Sequence, residues 1–295
     1  MPTPLLNDPA AAQCALLAMY AEDMFDPHPS HWNPTSASVT GKGWTIVGYL
    51  TAANAFLDGQ KLGLGERVYF GFLAQSTTLL NQFVAVVRGT EQFIEWMENI
   101  EGVLVPHPSV GKVEQGFFSI YRSMHYTPAT AAAPIVTGGP GDDPKGADGI
   151  AAVIPAGGTV TVIGHSLGSA LGTYLMLDVA VAAAGRFNVA GAFFASPNAG
   201  NSAFVQNVDK SAPDYKLYDY VFDLVPHVPP RLPADPLDIG FHPLPKAVWI
   251  TNNNRQARIK QDVLCNHHAY CYAAMLDFTS VAATVASAEC ILGKA

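Results

Sequence analysis

Residues 159–184 read TVTVIGHSLGSALGTYLMLDVAVAAA. Residues 160–163 have the length and β-branched content of a buried strand. The chain then turns through Gly164-His165-Ser166-Leu167-Gly168. Beyond the turn, Leu171, Tyr174, Leu175 and Asp178 recur at helical spacing among alanines. A strand, a sharp turn and a helix around GxSxG form a nucleophile elbow. The glycines are needed because the flanks of such a turn approach neighbouring backbone closely. The serine hydroxyl is then held at the N-terminus of a helix, where orphan N–H groups and the helix dipole favour developing negative charge. GxSxG arises by chance about 0.1 times in a chain of this length, so its placement between strand and helix gives it weight. His165 points away from its neighbour in such a turn and is expected to be a packed or solvated imidazole rather than the base.

Composition narrows the function classes. Among 295 residues, 14% are charged and 49% hydrophobic, which suits a large buried core with some exposed apolar surface. The formal net charge is −8, and Lys and Arg are thinly scattered. Nucleic acid and a polyanionic membrane surface are therefore not expected as partners. No apolar run reaches transmembrane length. The first Lys or Arg is Lys42, so residues 1–25 lack the charged start of a signal peptide and read better as an amphipathic helix after Pro9. The chain as it stands reads as cytoplasmic, or as secreted if a leader has been removed. Cys14, Cys265, Cys271 and Cys290 show no CxxC metal spacing and are expected as free buried thiols. A Cys14–Cys290 bridge between terminal helices is the alternative.

Along the chain, residues 26–43 read as a loop, and residues 44–52, 67–74 and 82–88 as successive strands. Residues 90–100 turn helical, with Phe93, Met97 and Ile100 on one face and Trp96 beside them. Residues 117–124 form a short helix. Residues 127–158 are an Ala/Gly/Pro tract read as a long, irregular, exposed insertion. Residues 191–196, 215–222 and 247–251 are further strands, and 268–292 return to helical spacing. Strands alternating with helices after residue 150 predict an α/β fold with a mostly parallel sheet in one domain.

A serine nucleophile needs a base, and the base an orienting carboxylate. On elbows of this kind the chain order is Ser, then Asp or Glu, then His. Asp223 follows the strand at 215–222 and precedes the rigid Leu224-Val225-Pro226, so it is the first choice. Asp219, which would face solvent in its strand if idle, is the second. His227 is too close in sequence to Asp223, and His242 lies in a proline-bracketed loop. The pair His267-His268 opens the last helix at a suitable position above the serine.

Four motifs resemble the class 3 lipases, the family of the Rhizomucor-type fungal lipases. FVAVVRGT at 83–90 follows YFGFLAQS at 69–76, GHSLGSA stands at 164–170, DLVPHVPP at 223–230 and HHAYCY at 267–272. The resemblance implies an α/β-hydrolase fold, a mostly parallel central sheet flanked by helices, with Ser166 as nucleophile, Asp223 as acid and His267 as base. The family's tyrosine three positions beyond the histidine selects His267, through Tyr270, over His268. It further implies an oxyanion hole from the amides of Thr90 and Leu167, and a lid helix over 90–100 whose Phe93, Trp96 and Met97 would meet substrate. The departures are Val113-Glu114-Gln115-Gly116 where the family often has Val-His-x-Gly, the final Ser169 of GHSLGS, and the long tract 127–158.

The expected activity is hydrolysis of acylglycerol or other apolar esters through an acyl-enzyme, without metal or organic cofactor. The expected partners are a small-molecule or lipid ester and a lipid–water interface. A feruloyl-type esterase and a phospholipase A1 are alternatives on the same triad. A non-catalytic scaffold binding apolar ligands is the alternative from another class.

Overall fold

The computed structural model describes residues 4–27, 31–53, 67–90, 102–132, 146–232 and 235–295. Helix α1 (Pro9–Asp23) starts with proline in its first turn, where the missing N–H costs nothing, and the Asp8 carboxylate accepts the Ala11 amide. After a single turn, α2 (Ala37–Thr40), come three strands, β1 (Trp44–Ala53), β2 (Arg67–Ser76) and β3 (Gln82–Val87). A small ladder of β4 (Leu104–Pro106) and β5 (Lys112–Glu114) precedes α3 (Gln115–Arg122), β6 (His125–Pro128) and α4 (Gly146–Val153). The elbow consists of β7 (Thr159–His165) and α5 (Leu167–Ala183). Then follow β8 (Asn188–Phe194), α6 (Ser202–Ser211), β9 (Tyr215–Tyr220), β10 (Ala247–Ile250), β11 (Ala257–Ile259), α7 (Val263–His267), α8 (Ala269–Val285) and β12 (Ile291–Lys294).

Eight strands form one sheet in the order β10-β9-β8-β7-β3-β2-β1-β6. From β10 through to β3 all neighbours run parallel, and from β3 to β6 they alternate antiparallel. The parallel half is covered by helices, and its inner strands β3, β7 and β8 are accordingly mostly apolar. Helix α5 is apolar all round and is buried along most of its length, as such a helix must be. It packs on β7 and β8, with α3, α4 and α6 beside it, while α1 packs on α8 and on β3 and β7.

The predicted strands all form, with ends displaced by one to three residues at most sites. Three readings need correction. The tract 127–158 is not an irregular exposed insertion throughout. Thr127 belongs to β6 at the sheet edge, and residues 146–153 form a helix that buries Ala147, Gly149, Ile150 and Ala151. Gly149 faces Tyr126 so closely that a Cβ there would lie 2.5 Å from the tyrosine Cβ. The small residues that obscure the period are thus the ones the packing needs.

The helix read over 268–292 stops at Val285 after a break at Asp277 (φ −154°, ψ 88°), and β12 follows and pairs with β11. The cysteines are not all free thiols, nor is Cys14 bridged. Cys265 and Cys290 form a disulfide with Cα atoms 5.2 Å apart, while Cys14 and Cys271 are unpaired.

The bridge closes a loop of 25 residues. Cross-linking a loop of that size removes unfolded-state entropy worth about 3 kcal/mol. Replacing Cys265 and Cys290 together by serine is expected to lower unfolding free energy by about that amount in urea titrations. Cys271→Ala, which breaks no bridge, is expected to change it less.

Candidate active site

The parallel strands β7 and β9 end on the same edge of the sheet, and the site is built there. Ser166 sits at the elbow with φ 57° and ψ −129°, immediately before α5, and is fully buried. The turn is possible because two glycines clear its flanks. A Cβ on Gly164 would stand 2.2 Å from the Gly168 carbonyl, and one on Gly168 would stand 2.3 Å from that of Val87.

Asp223 follows β9 in a tight turn that its own amide closes onto the Tyr220 carbonyl. Its Oδ1 accepts the Val225 amide at 3.0 Å. His267 ends α7, whose N-terminus is capped by Asp262. The three side chains meet. His267 Nε2 lies 2.9 Å from Ser166 Oγ, and Nδ1 lies 2.9 and 3.1 Å from the two oxygens of Asp223. With the carboxylate accepting from Nδ1–H, Nε2 is left to accept the serine proton.

Asp223 is almost wholly buried, which would raise its pKa. The His267 imidazole, the Val225 amide and the Tyr272 hydroxyl outweigh burial and hold the carboxyl below the usual carboxylate range. The carboxylate is therefore charged wherever the imidazole needs it.

The second-choice acid is elsewhere. Asp219 on β9 neither meets the histidine nor faces solvent: it is buried and accepts the Ser196 amide at 3.1 Å. Burial, with the charge of Asp223 added, pushes its pKa up to about 7. His268 is exposed and stacks on Tyr270 with ring centroids 4.9 Å apart. Tyr270, the residue that selected His267 by spacing, therefore packs on His268.

Leu167 is the first residue of α5 and is buried. Thr90 follows Gly89, and a Cβ on Gly89 would lie 3.3 Å from the Ser166 Cβ, so the 88–90 turn lies against the serine. Phe93, Trp96 and Met97, and with them the helix read over 90–100 beyond Thr90, fall outside the described residues.

Two neighbours of the candidate site escaped the sequence reading. The Tyr272 hydroxyl donates to Asp223 Oδ2 at 2.7 Å and accepts the Tyr220 amide at 3.0 Å. Glu22, on α1, accepts from Gly89 N at 3.2 Å and pairs with His165 Nδ1 at 3.1 Å. His165 is thus a packed imidazole, as expected, but with a charged partner. Tyr272 carries a signal in hindsight, since it lies little more than one turn into a helix that begins beside His267. Glu22 carried no such signal, being one of three acids, with Asp23 and Asp26, around the end of the first helix.

A charged rim is absent among the described residues flanking the triad acid. Val221, Phe222 and Leu224 around Asp223, and Val263 and Leu264 before His267, are exposed apolar side chains. No helix among the described residues is long and apolar enough to cross a membrane.

Comparison with known proteins gives three kinds of likeness. The family model described as Lipase (class 3) matches residues 84–232. A secreted mono- and diacylglycerol lipase of Malassezia globosa is 38% identical over 97 residues, 32% of this chain and 29% of that protein. A chloroplastic/mitochondrial phospholipase A1 of Oryza sativa subsp. indica is 29% identical over 196 residues, 58% of this chain and 43% of that one. The chain thus spans less than half the length of these curated relatives. The crystal structure of a lipase from Rhizopus microsporus var. chinensis superposes with a TM-score of 0.56 at 17% identity, covering 94% of this chain and 87% of the other. That likeness establishes the α/β-hydrolase fold.

Proposed function

Because this chain belongs to the class 3 lipase family, we propose that it is a serine carboxylic-ester hydrolase acting on apolar esters. One observation carries the reading: His267 Nε2 stands 2.9 Å from Ser166 Oγ while its Nδ1 is held by Asp223. In this reading Ser166 Oγ attacks the ester carbonyl as its proton passes to His267 Nε2. The negative oxygen is received by the amides of Leu167 and Thr90, each such donor being worth about 3 kcal/mol in comparable sites. The histidine returns the proton to the leaving alcohol. A water, deprotonated by the same nitrogen, then releases the acid from Ser166. Asp223 stays ionised throughout and stabilises the imidazolium.

The exposed apolar side chains beside the site favour an apolar acyl or alcohol group. Acylglycerols are the substrate class we favour, and it agrees with the substrate in the name of the Malassezia relative. The Cys265–Cys290 disulfide supports a protein that matures in an oxidising compartment, and the relative's name includes "secreted".

The test is a series of p-nitrophenyl esters from acetate to palmitate. Each buried methylene is worth up to about 0.8 kcal/mol, so kcat/KM is expected to climb severalfold per added pair of carbons until the site is filled. A fluorophosphonate should label Ser166. Absence of both turnover and label would leave only an apolar-ligand scaffold. A flat or falling chain-length series would overturn the apolar-ester reading.

A further inference from the structure

Behind the triad lies a second acid–imidazole pair that the hydrolytic mechanism does not use. His165 is buried, and both of its nitrogens are engaged. Nε2 lies 2.6 Å from the main-chain carbonyl of His267, and Nδ1 lies 3.1 Å from Glu22 Oε1. A carbonyl oxygen only accepts, and so does a carboxylate. The imidazole must therefore donate from both nitrogens, which makes it an imidazolium paired with a glutamate. The Glu22 side chain is 18% exposed, so the pair is largely withdrawn from water. The electrostatics agree with the hydrogen-bond inventory. Burial works against the charge on His165, but Glu22, the His267 carbonyl and Asp223 outweigh it and raise the pKa above the ordinary value. Burial likewise opposes charge on Glu22, and the imidazoles of His165 and His267 with the Gly89 amide hold it below the usual carboxylate range.

What the pair touches gives it a role. The same Oε1 that pairs with His165 accepts the amide of Gly89 at 3.2 Å, the residue before Thr90. Arg88, alongside, donates from Nη1 to the Gly89 carbonyl and stacks on Phe25, three residues beyond Glu22, at 3.6 Å. The last turn of α1 therefore grips the turn that carries Thr90. Through His165 it also grips the backbone of His267.

We propose that Glu22 and His165 are positioning residues: one carboxylate on α1 sets the spacing between the turn bearing Thr90 and the backbone bearing His267. The inference rests on the reading of Ser166, His267 and Asp223 as the triad. It assigns to α1 a part in the reaction although α1 supplies no group that touches substrate. Losing the carboxylate frees both segments to drift, and misplacement of a catalytic group by about 1 Å can cost on the order of 100-fold in rate.

The experiment compares wild type, Glu22→Ala and Glu22→Gln on soluble p-nitrophenyl butyrate. Rates are expressed per site titrated with fluorophosphonate, alongside thermal midpoints. Glu22→Ala is expected to lower kcat on the order of 30-fold with KM within about 3-fold, since positioning acts on the transition state more than on binding. Glu22→Gln keeps the shape but removes the charge, so it serves if the alanine variant does not fold. It should lower kcat less and move the alkaline limb of kcat to lower pH, because His165 then surrenders its second proton earlier. The groups facing the pair are Arg88 at the end of β3, His267 and Asp223 across the site, and the Tyr272 ring. Of these, His267 and Arg88 lose the attraction of the Glu22 charge along with His165. A kcat per titrated site within about 2-fold of wild type in both variants, with only the midpoint lowered, would mean that the pair is structural and overturn the inference. An unmoved alkaline limb in Glu22→Gln would do the same. A wild type that neither turns over ester nor takes the label would instead overturn the reading of the triad itself.

Discussion

Ser166→Ala is expected to remove nearly all ester hydrolysis, by roughly 10⁵-fold or more in kcat, and to leave the fold unchanged. The size of the effect follows from the site having one nucleophile. With Oγ gone, only electrostatic and binding contributions remain, which hold a small residue of rate over water. The fold should survive because the elbow is held by backbone. The Ser166 amide donates to the Phe194 carbonyl at 3.0 Å, and the Ser169 amide donates to the Ser166 carbonyl at 2.8 Å. The backbone angle of φ 57° is the same strain for alanine as for serine. Thermal unfolding and fluorophosphonate labelling give the check: an unchanged midpoint and no label. Retention of most turnover would end the covalent mechanism.

Asp223→Asn is expected to lower kcat by roughly 10³- to 10⁴-fold with little change in KM. An amide keeps the carboxylate's shape but presents a donor where the imidazole already donates. The ring then favours the tautomer with its proton on Nε2, facing Ser166 Oγ, where it can no longer accept. Asp219→Asn provides the contrast. Its carboxyl meets the Ser196 amide rather than the histidine, so activity should stay within a few-fold of wild type.

The two carboxyls also pull stability in opposite directions with pH. Asp223 has a depressed pKa in the folded state. Its contribution is present above the unfolded carboxylate value and is lost as pH falls through the folded one. Asp219, raised to about 7, favours the fold while protonated. That contribution is complete below the unfolded value and is lost as pH rises through about 7. Asp219→Asn should therefore flatten the decline in melting temperature between about pH 4 and pH 7. If Asp219→Asn gave the large loss of turnover instead, the acid would be misassigned.

The meeting of Ser166, Asp223 and His267 was legible because each of them sits in a local pattern. Ser166 lies in a turn that only glycines at 164 and 168 allow. Asp223 lies between a strand and a proline loop, and His267 lies at the head of a helix. Such cues need no knowledge of distant contacts. Tyr272 and Glu22 were not legible for the converse reason. Their partners lie 49 and 143 residues away; at Tyr272 only the start of its helix beside His267 hints at the meeting, and at Glu22 nothing nearby does. Helix α4 escaped because Gly146 and Gly149 are there for close approach to Met124 and Tyr126, which erases the apolar period a helix normally shows. The overlong last helix had the opposite fault. Its apolar period runs past Asp277 without registering the backbone break, and it hides the strand that Cys290 joins to Cys265.

The embrace of α1 by α8 has a consequence for how the protein is made. Residue 22 leaves the ribosome well ahead of residue 267, by roughly 12 to 50 s at ordinary elongation rates. Through that interval the apolar side of α1 has no α8 to cover it, and Leu6 waits for the Asn254 carbonyl that its amide will reach at 2.6 Å. Closure of so long a loop is slow and comes last. A nascent chain thus carries its serine on a nearly complete strand-and-helix frame while lacking its base. On the proposed reading, ester hydrolysis waits until synthesis has passed residue 267, so the order of translation itself delays it.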